Sequence, residues 1–191
     1  MQRGFRHPIQ PLSRMPFALL LALFPAFQTA GGGFDKKWAV YGDLSNDLMG
    51  YSLAMVGDLN GDGVGDLAAG AVVASPNGLP NAGVLRILSG SDGSEIFRLE
   101  GSQASENLGR AVLSLSDRNG DGIPDLAVGG GGQGNGEVRI HSGADGALLA
   151  VFAAPGGADD FGESLASPGD TNGDGFDEIL VERPHRTTRM N

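Results

Sequence analysis

The sequence predicts an all-β fold of tandem four-stranded units, and three observations carry that prediction. Glycine is very frequent, 33 of 191 residues, whereas aromatic residues make up 6%. That mixture suits short strands joined by tight turns that need positive φ; in long helices each glycine costs up to ~1 kcal/mol against alanine. Second, the segments 49–58, 108–117 and 161–170 align without gaps, each placing a glycine (Gly50, Gly109, Gly162) eight residues before an aspartate (Asp58, Asp117, Asp170). Third, Gly83–Gly93 matches Gly136–Gly146, and the steps Gly90 to Gly109 and Gly143 to Gly162 are both 19 residues. The two periods, 59 and 53, differ through an insertion at residues 75–81.

The elements follow in order. Residues 1–31 read as an export signal: Arg3, Arg6 and Arg14 form the positive region, an apolar core starts at Phe17, and Thr29-Ala30-Gly31 offers a cleavage site. The apolar run Pro16–Phe27 is 12 residues, short of the ~20 that span a bilayer, so no membrane span is expected after cleavage. Residues 34–42 occupy the place of 96–101, the last strand of a unit, with Phe34 and Trp38 in core-packing positions. The first unit, 49–101, reads as strands at Tyr51–Val56, Leu67–Val72, Val84–Leu88 and Glu95–Leu99, the last two joined by a short Ser-Gly-x-Asp-Gly turn. The second spans 108–153, the third starts at 161 and breaks off near 184, and 185–191 form an irregular tail. Tandem four-stranded units of ~50–60 residues are propeller blades, here about two complete ones and parts of two others. This is a partial β-propeller.

The formal charge is −10, and −13 once the basic leader is removed. Such a chain repels nucleic acid and anionic membrane. It has no cysteine, which excludes disulfides, thiolate–zinc sites and a cysteine nucleophile, and leaves bound metal as the remaining staple for an exported domain.

Three acidic loops supply that staple. They run Asp58-Leu-Asn60-Gly-Asp62-Gly-Val64-Gly-Asp66, Asp117-Arg-Asn119-Gly-Asp121-Gly-Ile123-Pro-Asp125 and Asp170-Thr-Asn172-Gly-Asp174-Gly-Phe176-Asp-Glu178. Side-chain oxygens fall at positions 1, 3, 5 and 9, glycine at position 6 permits the sharp turn, and position 7 offers a carbonyl. Calcium (Ca2+) takes six to eight hard oxygen ligands, and one such stretch supplies them. Three carboxylates within nine residues repel unless a cation sits among them, and three calcium ions would bring −13 to −7. An EF-hand needs an acid at position 12 and flanking helices, but position 12 is Ala69, Val128 and Val181 in strand-like segments, so that reading is rejected.

The units resemble FG-GAP repeats, the blades of the integrin alpha-subunit propeller and its bacterial relatives, over about residues 34–184. The "FG" corresponds to Met49-Gly50, Leu108-Gly109 and Phe161-Gly162; the "GAP" corresponds to Gly70-Ala71-Val72, Gly129-Gly130-Gly131 and Glu182-Arg183-Pro184. The resemblance implies calcium ligands at Asp58, Asn60, Asp62, Val64 (carbonyl) and Asp66, with Asp117, Asn119, Asp121, Ile123 and Asp125, and Asp170, Asn172, Asp174, Phe176 and Glu178, as counterparts. It further implies a secreted or cell-surface module for adhesion and ligand binding, with an extracellular protein or carbohydrate as partner. Two departures stand out: Glu178 replaces aspartate at position 9, so the third site is expected to bind differently, and Glu182 replaces the "GAP" glycine. Closed rings need at least about four blades. The chain is therefore either a truncated product, the expectation because the pattern breaks mid-blade, or one that closes with other propeller chains or copies of itself.

No catalytic constellation emerges, and the chain is not expected to be an enzyme. His7 lies in the leader, His185 in the tail, and His141 at the strand position of Leu88. No nucleophile elbow, zinc-binding His-Glu-x-x-His or phosphate loop occurs, and the run Gly129–Gly132 reads as a loop between strands. Glu95, Glu100, Glu106 and Glu163 show no paired spacing for glycoside hydrolysis. The alternatives are a non-catalytic propeller accessory of an extracellular hydrolase or lyase, and a purely structural array with no ligand beyond calcium.

Overall fold

The computed structural model describes residues 18–19, 38–131, 136–153 and 161–182; of the leader it describes Ala18–Leu19 alone, and Phe34 and the 185–191 tail lie outside the described residues. The first unit is an antiparallel sheet of β3 (Met49–Gly57), β4 (Asp66–Ala71), β5 (Val84–Leu88) and β6 (Glu95–Glu100) in sequence order. The second repeats it with β7 (Ala111–Leu115), β8 (Asp125–Gly130), β9 (Glu137–His141) and β10 (Leu148–Ala153). In the third, β11 (Leu165–Gly169) pairs with β12 (Glu178–Val181). Ahead of them β1 (Ala18–Leu19) pairs with β2 (Val40–Tyr41). Each first-unit strand falls within two residues of its expected span. The insertion at 75–81 forms a short 3-10 turn at Pro76–Gly78. The architecture is the all-β, partial propeller that the repeats predict.

Sheets in such an array are covered on both sides, and the sequence provides for it. All six residues of β4 and of β8 are buried, so these strands read as continuous small apolar runs instead of alternating ones. In β4–β5, Ala68 pairs with Ile87 and Gly70 with Leu85, and this face looks forward to the next unit. Leu67 pairs with Leu88 and Ala71 with Val84, and that face looks to the rear. The forward face of the first unit, with Val56, Leu85, Ile87 and Leu99, packs on Leu108, Leu126 and Val128 of the second. Fully burying each such side chain is worth about 1.5–3 kcal/mol. The second and third units repeat the contact through Val138, Ile140, Phe161, Leu165 and Val181. The first strands lie nearest one another, β3 beside β7 and β7 beside β11, so they form the inner edge.

Two glycines per interface set the spacing. A Cβ on Gly70 would lie 2.2 Å from the Gly109 carbonyl oxygen, and one on Gly129 would lie 2.0 Å from that of Gly162. The "GAP" glycine of one unit therefore seats the "FG" glycine of the next. Ser52 Oγ also donates to the Gly109 carbonyl at 2.6 Å. An ion pair joins the second and third units, Arg110 Nη2 to Glu163 Oε1 at 2.5 Å, and Arg139 Nη1 holds buried Glu106 of the segment that leads into the second unit, also at 2.5 Å.

Trp38 packs on the rear face of the first unit, against Gly93, in the way that Phe97 lies against Gly146 of the second. Both aromatic residues stand 12 positions before an "FG" glycine. His141 is a buried strand residue at the place of Leu88, its Nδ1 2.9 Å from the Gly146 carbonyl, and burial lowers its pKa below the ordinary value.

Candidate metal centre

Each acidic loop joins the first two strands of its unit, and the same turn is built three times. The position-1 carboxylate closes it by accepting backbone amides. Asp58 accepts from Gly61 at 2.8 Å and Gly63 at 2.8 Å, Asp117 from Gly120 and Gly122, both at 2.7 Å, and Asp170 from Gly173 at 2.7 Å and Gly175 at 2.9 Å. The Oδ1 of Asp62, Asp121 and Asp174 accepts the amide of Val64, Ile123 and Phe176 at 2.8, 2.8 and 2.9 Å. Asn60, Asn119 and Asn172 bridge the position-5 residue, Oδ1 accepting its amide and Nδ2 donating to its Oδ2. Glycine at position 6 is needed, because φ there is 82°, 87° and 91° at Gly63, Gly122 and Gly175. The amides hold Asp62, Asp117 and Asp170 below the ordinary carboxylate range. The side chain of Ile123 packs into the core between units, and Phe176 lies under the Arg118 guanidinium at 5.5 Å. Position 12 falls inside β4, β8 and β12, away from any helix.

Position 9 divides the loops. Asp66 and Asp125 are fully buried. Asp66 Oδ2 accepts the Leu59 amide at 2.8 Å and Oδ1 accepts that of Gly90 at 3.0 Å; Asp125 accepts from Arg118 at 2.7 Å and Gly143 at 3.2 Å. The third loop is different. Glu178 is one methylene longer and only half-buried, and Asp170, Asp174 and Glu178 each bring a carboxylate oxygen within 4.8 Å of the others. Two ligands on opposite sides of a calcium ion stand about 5 Å apart, given bonds of 2.3–2.6 Å. The donors are carboxylates and an amide oxygen, with no imidazole or thiolate, and that set suits a hard cation. Among the described residues, the third loop's carboxylates gather within 4.8 Å of one another; in all three loops one position-9 oxygen accepts the position-2 amide, and in the first two the other accepts a glycine amide from the following hairpin.

The sequence is similar to integrin alpha chains. Integrin alpha pat-2 of Caenorhabditis briggsae is 40% identical over 121 residues, 59% of this chain and 10% of that protein. Human integrin alpha-7 is 35% identical over 152 residues, 73% of this chain and 12% of its own length. The units are integrin alpha-type FG-GAP repeats. Integrin alpha-PS5 of Drosophila melanogaster extends the match to 83% of the chain at 29% identity, over 17% of its own length. The chain thus spans less than a fifth of these relatives. No family model matches it.

Within each complete FG-GAP unit a second turn clamps the loop, and the ligand spacing alone does not reveal it. Besides the Gly90 and Gly143 amides, Ser89 Oγ donates to Asp62 Oδ2 at 3.3 Å and Ser142 Oγ donates to Asp121 Oδ2 at 3.2 Å. The recurring Ser89-Gly90 and Ser142-Gly143 pairs were the available signal. In the third FG-GAP unit, the Thr171 amide donates to Glu178 Oε2 at 2.6 Å, as the Leu59 and Arg118 amides donate to Asp66 and Asp125. Asp177, next to Glu178, serves another purpose: its Oδ2 accepts the Ser116 amide at 2.7 Å and ties the third loop to the second unit. The acids outside the loops are also engaged, Glu95 by Arg98, Glu100 by Asn77, Glu106 by Arg139 and Glu163 by Arg110. Beside the third loop, Phe152, Phe161, Phe176 and Val181 line a cleft of about 380 Å³.

Proposed function

We propose that this chain is a secreted, calcium-binding FG-GAP module that presents a ligand-binding or adhesive surface outside the cell. Residues 1–31 serve as its export signal, and an extracellular protein or carbohydrate is its partner. One observation carries the reading: a single hydrogen-bonded turn recurs in three loops, and in the third three carboxylates converge within reach of one cation. The chemistry belongs to the chain's own residues. Asp58, Asp117 and Asp170 shape the turn, and the side chains of positions 3 and 5 are exposed, where an ion reaches the lone pairs their hydrogen bonds leave free. Asp66 and Asp125 brace the loop against the following hairpin. A bound cation removes the repulsion among these acids, so metal affinity becomes folding stability. The adhesive role rests on the similarity to integrin alpha chains.

Thermal unfolding tests it. Millimolar calcium is expected to raise Tm by several degrees over a chelator. The Asp174→Ala substitution should remove part of that rise and leave the chelated Tm nearly unchanged, since Asp174 is exposed. Equal melting with calcium and chelator would count against the reading.

A further inference from the structure

The acidic loops of neighbouring units meet at fixed positions. At the first interface, Leu59, second in its loop, belongs to the core cluster on which Ile123, seventh in the next loop, packs. A Cβ on Gly57, just ahead of the first loop, would lie 3.2 Å from Pro124 Cγ at position 8 of the second. Both contacts are apolar. At the second interface the same positions set Arg118 against Phe176 and Ser116 against Asp177, and the join becomes polar.

Arg118 takes part in two loops at once. Its amide donates to Asp125 Oδ2 at 2.7 Å, which ties it to position 9 of the second. Its guanidinium crosses to the third, where Nη2 donates to the Asp177 carbonyl and Cζ stands 5.5 Å from the centre of the Phe176 ring. Ser116 holds the same residue from the other side. The Asp177 amide donates to Ser116 Oγ at 3.3 Å, and Asp177 Oδ2 accepts the Ser116 amide at 2.7 Å.

Asp177 stands between the two ligand positions of this segment. Because peptide units are planar, fixing its amide sets the direction of the Phe176 carbonyl, and fixing its carbonyl sets the Cα of Glu178. Glu178 is otherwise bonded within its own loop, to Thr171 and to Asn172 Nδ2 at 2.8 Å. Phe176 is 41% exposed, so burial does little to hold it.

Building on the cation reading above, we propose that Arg118 of the second loop positions the third cation site by clamping the segment Phe176–Glu178 from outside its own loop. Charge alone would act the other way. Arg118 lines the same cleft as Asp174 and Glu178, and a guanidinium there repels an incoming cation. Removing it would tighten calcium binding if electrostatics governed, whereas loss of positioning weakens it.

A calcium titration of the whole chain, followed by the amide resonances of Gly63 and Gly175, reads separate midpoints for the first and third loops. Arg118→Met keeps the aliphatic stem and loses the donor. It is expected to raise the third midpoint about tenfold and to leave the first unchanged. Arg118→Lys, which keeps a charged donor, should recover most of that loss. The proposal is overturned if the third midpoint in Arg118→Met stays or falls, if the first rises equally, or if lysine does no better than methionine. A wild-type Gly175 resonance that ignores calcium would instead sink the cation reading of that loop, and the positioning role with it.

Discussion

Replacing Gly129 by alanine is expected to destabilise the protein by about 3 kcal/mol, among the largest effects of any single methyl group in the chain. The new Cβ would lie 2.0 Å from the Gly162 carbonyl oxygen and 3.0 Å from its carbonyl carbon, and both belong to backbone. No side chain can rotate away to make room. The second and third units must separate, and the cluster of Val138, Ile140, Phe161 and Val181 between them loosens. Gly129 does not have positive φ, so the cost is steric and not conformational. Gly65→Ala serves as control, because its Cβ would meet nothing nearer than Met55 Cε at 3.4 Å. Urea unfolding should separate the two variants clearly. A Gly129→Ala protein as stable as the control would mean that the units do not stack as described.

The second large effect is at Asp66. Its carboxylate is fully buried and accepts amides from Leu59 at 2.8 Å, Asn60 at 3.3 Å and Gly90 at 3.0 Å. Alanine leaves these donors without an acceptor, at a cost of roughly 2–4 kcal/mol. Asparagine is expected to fall between, since one oxygen still accepts while its NH2 group confronts a donor. The loss should persist in chelator, because Asp66 braces the fold before any metal binds. Asp62→Ala, at an exposed position, should by contrast act mainly through calcium. If Asp66→Ala loses stability only when calcium is present, the bracing role is wrong.

Much of this was legible in the sequence, for definite reasons. Val84–Leu88 coincides with β5 because its alternation and flanking glycines leave one reading, and β3 opens at the recurring "FG" pair. The loops announced themselves through identical oxygen positions. What stayed hidden depends on contacts between distant residues. Asp58 and Asp66 are the same residue type in one loop, yet Asp66 is fully buried, because the Gly90 amide, 24 residues later, folds over it. Glu178 stood out as a departure, but only its reach toward Asp170 and Asp174 makes it the member that completes a three-carboxylate group. Glu182 was likewise visible as a lost glycine.

The central claim is that the acidic loops are cation sites. Equilibrium dialysis with radioactive calcium, on the folded chain at fixed ionic strength, tests it most directly. The account predicts saturable uptake with one ion per loop, and Glu178→Ala losing the contribution of the third. A folded protein that retains no calcium at millimolar concentration, or takes it up without saturation, would contradict it.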